Sequence, residues 1–457
     1  MRRLTRRGFL GSAAAAFAGE ALFPGRAQAL LMFGGGATPS AQQALGIFDV
    51  KSYGGAVGDT IMLAAGSMSS VTNPTHFSDA GASFVSGDVG KVICVGGAGA
   101  SGAPLVTTIS SVTSGTAVVL GASCLTTVSG AITHYGTDDT TAIQNTINAA
   151  VAFGNGNGVA LFPLGIYMIN GAFQNTSVQN SQLIIPTNAN PTSSYPSVVL
   201  MGYAPATQGD PGPLVLNNTA PKRTGAILFS PKNGSGTHPA LLAAGGYLTT
   251  TFNVTRVTIG NLTFRTAYQN PNPLSACNMS NAIACVMDDV CFDVDATSNQ
   301  IANVAPVSGS VAYLSPCVNN GTINEFRGAG LAVGYDIGYS LGEHFSGEDI
   351  QAYFCTFAAT VGDTVANEAL HVSKLDIASC QKGVWLSASV CPLHVSSYIA
   401  EHNTSAGKWF SSSIEDVHDP GNKLTGILNY HIVVSNVGSD NSQFVKTGAT
   451  GLTTTAI

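Results

Sequence analysis

The residues of this chain best suited to chemistry are carboxylates that recur one repeat apart. Asp349, Asp376 and Glu401 follow one another at intervals of 27 and 25 residues, each within a short stretch of alternating polar and apolar residues. That period of two marks a half-buried strand. Val372-Ser373-Lys374-Leu375 and Val395-Ser396-Ser397-Tyr398 match when overlaid, and extending the overlay sets three columns. The first holds Asn261, Asp289, Asp349, Lys374 and Ser397, and the second Thr263, Cys291, Gln351, Asp376 and Ile399. The third holds Arg265, Asp293, Tyr353, Ala378 and Glu401. Asp349 and Asp376 then lie one strand spacing and two residues apart, roughly 8 Å. An inverting glycosidase needs about 6.5–9.5 Å between the carboxyl that protonates the leaving group and the one that activates water. Asp376 and Glu401 share the same offset. A slip of one residue would turn each of them to the other face, and the same carboxylates also suit a solvated surface.

A second chemistry fits the same columns. β-Elimination beside a uronate carboxyl needs a base and a cation to stabilise the enolate-like intermediate. Lys374, Arg265 or a calcium ion held by Asp288, Asp289, Asp293 and Asp295 would supply the charge. Substrate contacts would come from Arg265, Gln351, Tyr353 and Tyr398, since sugar rings stack on aromatic faces; Trp385 suits that role too, and all three aromatics suit a core equally. A hydrolase or lyase acting on polysaccharide therefore stands beside a non-catalytic surface module that binds glycan or assembles as a homotrimer. No other cofactor is expected.

Such columns require strands that stack in parallel. Strand-like pieces recur at Leu262, Val290, Ile350, Leu375 and Tyr398, with gaps of 28, 60, 25 and 23 residues, the longest leaving room for one or two further repeats. This spacing favours an all-β, single-stranded, right-handed parallel β-helix over a sandwich, because each repeat covers several strands and residue types recur at the turns. The open end of such a solenoid needs a cover. Asp138, Asp139 and Thr140 read as cap and first turn of a helix whose Ile143, Ile147 and Ala150 share one face, and Gly154-Asn155-Gly156-Asn157-Gly158 ends it.

Three segments carry a more specific signal. They are Phe48-Asp49-Val50-Lys51-Ser52-Tyr53-Gly54-Gly55-Ala56-Val57-Gly58-Asp59, Thr137-Asp138-Asp139-Thr140-Thr141-Ala142-Ile143-Gln144 and Gly158-Val159-Ala160-Leu161-Phe162-Pro163-Leu164-Gly165-Ile166-Tyr167. Together they resemble the N-terminal signature of the pectate-lyase-like superfamily, which includes rhamnogalacturonase-like enzymes, epimerase-like proteins and phage tailspikes. The resemblance implies a right-handed parallel β-helix with its N-terminal capping helix. In that superfamily the first two segments are nearly adjacent, whereas here residues 61 to about 136 separate them. The insert reads as a small β-domain, with strands near residues 92–95, 105–109 and 116–120 joined by glycine-rich turns. The polygalacturonase signatures Asn-Thr-Asp, Gly-His-Gly and Arg-Ile-Lys and the Arg-x-Pro-x-x-Arg segment of pectate lyases are absent, so no mechanism transfers with the resemblance.

Composition and charge narrow the partners. Only 9% of residues are charged and 53 are glycine, as expected of many short strands and tight turns. Arg2, Arg3, Arg6 and Arg7 precede an apolar run and a small-x-small site at Ala27-Gln28-Ala29, the layout of an export signal. Thr5-Arg6-Arg7-Gly8-Phe9-Leu10 resembles the twin-arginine motif, which implies a periplasmic or extracellular product exported folded. Removing residues 1–29 takes five of the 18 basic and one of the 25 acidic residues, moving the formal charge from −7 to −11. That excess argues against nucleic-acid and membrane partners. Nine cysteines leave at least one unpaired, and folding in a reducing cytosol favours buried thiols over a disulfide framework. The expected organisation is a signal peptide at 1–29, a linker at 30–46, the start of the β-helix at 47–60, the insert at 61–136, the main β-helix at 137–437 and a tail at 438–457.

Overall fold

The computed structural model describes residues 39–176 without a break, then 179–186, 197–203, 225–232, 234, 239–244, 256–267, 274–279 and 284–295, and from there the strands between Tyr313 and Ala456. It divides into two units, Met1–Leu45 and Gly46–Ile457. The described part of the first is a short helix, α1 (Pro39–Ala44), and the residue after it. The signal-peptide expectation at 1–29 lies outside the described residues.

Among its described residues the second unit is all-β apart from one longer helix and short 3-10 turns. Its strands form a 14-stranded sheet, a 10-stranded sheet and a closed six-stranded barrel. This corrects the expectation of a single right-handed parallel β-helix, because the described chain is partitioned among several sheets and one of them closes on itself with antiparallel pairing. The physical reason lies in what the sequence period reports. Residues recurring every 23 to 28 positions reveal that strands stack in parallel register, and any parallel sheet with long crossovers satisfies that.

The 14-stranded sheet carries the columns. Its central strands, Arg256–Ala267, Ala284–Asp295, Asn320–Ala329, His344–Tyr353, Ala369–Ala378 and Leu393–Glu401, pair in parallel in chain order. Asn261 and Asp289 sit at φ +54° and +51°. This left-handed region is open to Asn and Asp at low cost, and it bends each long strand in the middle. The bend shifts the alternation by one, so Val257 and Ile259 before it and Leu262 and Phe264 after it are all buried. Cys285, Met287, Val290 and Phe292 repeat the same pattern on the next strand. Gly202 closes the preceding strand, Ser197–Gly202, at this bend, where any Cβ would collide with the carbonyl oxygen of Asn261.

Helix α2 (Thr140–Ala152) buries Ile143, Ile147, Ala150 and Val151 and packs against strands Ile47–Asp49, Val159–Phe162, Gln179–Ile185 and Ser197–Gly202. Its Gln144 side chain imitates a strand. The amide donates to the carbonyl of Ile184 at 2.7 Å and accepts from the Ile184 N–H at 2.8 Å, satisfying backbone groups that a sheet edge leaves open. The five described cysteines, Cys94, Cys124, Cys277, Cys285 and Cys291, are buried free thiols. Burial raises the Cys277 thiol well above its ordinary pKa, and Cys285 close by adds to it.

The barrel comprises Ile61–Met68, His76–Ser78, Val92–Val95, Leu105–Ser114, Ala117–Leu120 and Val128–Gly136, around a core that includes Leu63, Phe77, Phe84, Ile93, Val118 and Tyr135. Ile61 pairs antiparallel with Tyr135, so the chain enters and leaves at one place. A second apolar cluster, Val92, Cys94, Met168, Phe229 and Ala267, joins barrel to sheet, with His134 stacked on Phe229 at 4.1 Å between ring centroids. No helix among the described residues is long and apolar enough to cross a membrane.

Candidate functional site

The strand register assembles the carboxylates. Asp349 pairs with Lys374 and Lys374 with Ser397, while Gln351 pairs with Asp376 and Asp376 with Ile399. Tyr353 pairs with Ala378 and Ala378 with Glu401. Asp349 and Asp376 are therefore one strand and two positions apart, roughly 8 Å along the diagonal. Asp376 and Glu401 repeat that offset. The Lys374 ammonium lies 3.4 Å from Asp349 Oδ1 and 3.5 Å from Oδ2, with both side chains about a third exposed. Between them and Asp376, the buried Ile350 and Leu375 face the core and anchor the strands. The side chains of Gln351, Tyr353, Asp376, Tyr398 and Glu401 lie outside the described set, so their backbone register alone places them.

Two further charged residues enter the same grid. The strand Asn320–Ala329 pairs Glu325 with Asp349 and Arg327 with Gln351. Glu325 thus continues the column of Asp349 and Lys374, and Arg327 that of Gln351 and Asp376. Arg327 and Asp349 then share the one-strand, two-position diagonal. Sequence reasoning missed both because they fall in the 60-residue gap before Ile350. A signal was present in Asn324-Glu325-Phe326-Arg327, which has the polar, charged, apolar, polar order of Ser373-Lys374-Leu375-Asp376.

The other expected residues are placed differently. Arg265 pairs with Phe229 on one side and Asp293 on the other, and its side chain is 2% exposed beside the cluster that joins barrel to sheet. It is therefore closed to a large ligand, and Asp293 and Ala329 separate it from Tyr353 in the column. Tyr398 pairs with Leu375, and the same column holds the buried Ile350, Val290 and Leu262. It stands with the apolar residues rather than with the carboxylates. Trp385 belongs to the 10-stranded sheet, between Thr360 and Glu415.

Asp288 and Asp289 are adjacent at the bend, with Asp289 buried in the left-handed conformation. Asp293 lies four residues further along the strand, roughly 13 Å from Asp289 at strand rise. The side chains of Asp293 and Asp295 are outside the described set, and among the described residues no group of three or more His, Cys, Asp or Glu side chains is close enough to hold a metal ion.

A second group of carboxylates holds the barrel junction. Asp139 occupies the N-cap position of α2, yet its carboxylate makes no helix-capping bond. It accepts instead from Val57 N–H at 2.6 Å and Gly58 N–H at 2.9 Å, on the far side of the barrel insertion. Burial raises its pKa, outweighing those two bonds. Asp138 accepts from Thr140 N–H and from Asn170 N–H, both at 3.1 Å. Asp59 accepts from the Thr137 N–H at 2.8 Å and lies 2.7 Å from Lys91, which also meets Asp88 at 2.9 Å. Burial pushes the Asp59 carboxyl up, but Lys91 and Thr137 together hold it below the usual range. Burial likewise pulls the Lys91 ammonium down, and its two carboxylate partners more than offset this.

By backbone register, Glu325, Asp349 and Lys374 thus share one column of the parallel sheet and Arg327, Gln351 and Asp376 another. No protein-family profile, curated protein or solved structure matches the chain.

Proposed function

We infer that the protein acts on polysaccharide in a groove along the outer face of the parallel sheet, as a glycoside hydrolase of the two-carboxylate kind. The observation that carries this reading is the diagonal of Asp349 and Asp376, whose backbone positions lie roughly 8 Å apart, a spacing that supports carboxyl groups about 6.5–9.5 Å apart with a water molecule between them. Asp376 stands between the uncharged Gln351 and Ile399 and serves as the general acid. Asp349, fixed at the sheet surface by Lys374, orients the attacking water. The likeness of residues 48–59, 137–144 and 158–167 to a superfamily of polysaccharide-active proteins adds support. Lyase chemistry would use Lys374 in place of a carboxylate base, with calcium as a candidate cation.

Incubation of the protein with neutral and uronate polysaccharides, following reducing ends and the ultraviolet absorbance of unsaturated uronides together, tests this. Reducing ends should rise alone, and Asp376→Asn should lower the rate by about 10²–10⁴-fold with folding intact. Absorbance rising with them selects the lyase. One observation favours a second reading: Asp349 is ion-paired with Lys374. A protein that binds glycan without turnover on any substrate would establish it as a non-catalytic module.

The functional proposal includes export. The Arg6-Arg7 pair supports the twin-arginine route to the periplasm or exterior. Replacing both arginines with lysine should leave the protein in the cytosolic fraction of a bacterial host, and export undiminished by the change would overturn that route.

A further inference from the structure

The barrel stands on the face of the parallel sheet that carries the carboxylate columns. Residues paired across the ladder share a face, and the column of Arg265 runs back through Phe229 to Met168 and forward to Asp293. The columns of Asp349 and Asp376 lie two and four residues away along the strands, on the same side. On this face Met168, Phe229 and Ala267 pack against Val92 and Cys94 of the barrel, and the barrel's His134 stacks on Phe229. Burial continues beyond that contact. Arg265 is 2% exposed, and Thr263 and its neighbour Cys291 are fully buried. Farther along, the face is open: the side chains of Asp349 and Lys374 are 28% and 35% exposed.

The direction of a bound glycan follows from the two carboxylate positions. General acid and water-activating base act from opposite sides of the sugar ring, so the chain passes between them. Asp349 and Asp376 are two residues apart along the strand, roughly 6.6 Å, and one strand spacing apart across it, roughly 4.8 Å. The larger component lies along the strands, so a chain threading the pair runs across the strands, following the columns. In one direction it meets the strands Asn320–Ala329, Ala284–Asp295 and Arg256–Ala267 in turn, and then the barrel. Cys291 is two strand spacings from Gln351, roughly 10 Å. Phe229, under the barrel, is four from Tyr353, roughly 19 Å.

We propose that the barrel closes the glycan track at this end, so that the protein takes a polysaccharide by one terminus and releases short pieces instead of cutting within the chain. The inference rests on the reading of Asp349 and Asp376 as the cleaving pair. Each cut breaks one glycosidic C–O bond and adds water across it, and the released piece is the part that lay between the pair and the barrel. A track of roughly 10–19 Å holds only a short oligosaccharide. The opposite direction, across the strands Ala369–Ala378 and Leu393–Glu401, leads away from the barrel and takes the rest of the chain.

Product sizes and end-labelled probes test it. Early in the digestion of whichever neutral or uronate polysaccharide yields reducing ends, the products should be short and narrow in length, and the viscosity should hardly fall. Fragments of mixed length with an early collapse of viscosity would overturn the closed end and leave the two-carboxylate reading standing. In a second arm, oligosaccharides prepared from the same polysaccharides carry a small photoreactive diazirine at one terminus or the other, and Asp376→Asn keeps them uncut. One of the two probes should label the barrel between Val92 and Gly136 and spare the strand Leu393–Glu401. A barrel labelled by neither probe overturns the proposal. This arm requires binding alone, so it decides the closed end even if reducing ends never appear and the hydrolase reading fails. A chain that neither binds nor cuts any of these glycans removes both.

Discussion

At the scale of single residues, Lys91 holds more of the structure than its neighbours' sequence suggests. It joins Asp59, next to the start of the barrel, with Asp88 inside it, and all three are largely shielded from water. Lys91→Met should lower stability by about 1–2 kcal/mol at neutral pH, between the values for exposed and buried pairs. The pH dependence has a definite sign. Asp59's folded pKa is depressed, so its contribution is complete above its unfolded value near 3.9 and disappears as pH falls through the folded value. Lys91's folded pKa is raised, so its share is complete below about 10.4 and is lost at higher pH. Urea titrations of parent and variant should therefore differ at pH 7 and converge in strong acid. Equal stabilities at pH 7 would show the pairs to be energetically silent. Asp139 has the opposite sign, since burial raises its pKa and its ionised form works against folding.

At the scale of elements, the bend at Asn261 and Asp289 explains both what the sequence reveals and what it hides. The columns through Asp349, Lys374 and Asp376 were legible because Val372-Ser373-Lys374-Leu375 and Val395-Ser396-Ser397-Tyr398 carry the same order of apolar and polar residues, and the overlaid register agrees with the observed pairing. Glu325 and Arg327 escaped because Gly321 and Gly328 interrupt the apolar pattern of their strand. The 10-stranded sheet was illegible for a simpler reason. Members such as Tyr313–Leu314 and Asp336–Ile337 are two residues long, and two residues carry no period. Hence the number of sheets could not be read, and the single-solenoid expectation failed where the register succeeded. Asp139 takes the N-cap position that the sequence indicates, but its carboxylate partners could not be read there because they lie more than 80 positions away. The bend also yields a prediction. Gly202→Ala should cost about 1–3 kcal/mol, because its methyl group meets the immovable Asn261 carbonyl rather than a flexible side chain. Thermal melts of the variant check this, and an unchanged midpoint would show that the backbone yields there.

At the scale of the whole molecule, the barrel's adjacent entry and exit make it a closed detour in a chain otherwise organised by parallel stacking. Val57 and Gly58 meet Asp139 only because the intervening strands return Gly136 to the side of Thr60. For an unstructured chain, bringing such distant ends together incurs a loop-closure entropy that must be met before any junction bond rewards it. A barrel formed beforehand removes that cost, since its own strands deliver the two ends already side by side. Folding order is thereby imposed: the antiparallel barrel, whose contacts are the more local, should gain amide protection before α2 docks, and the long-range parallel sheet should follow. Pulsed hydrogen exchange during refolding should find Ile93 and Val118 protected earlier than Ile143 and Leu262, and the reverse sequence would mean that the sheet templates the barrel. A vulnerability during synthesis follows as well. A nascent chain stalled soon after Gly136 would present Met168's future partners in the barrel, Val92 and Cys94, uncovered, and would depend on the next hundred residues to hide them.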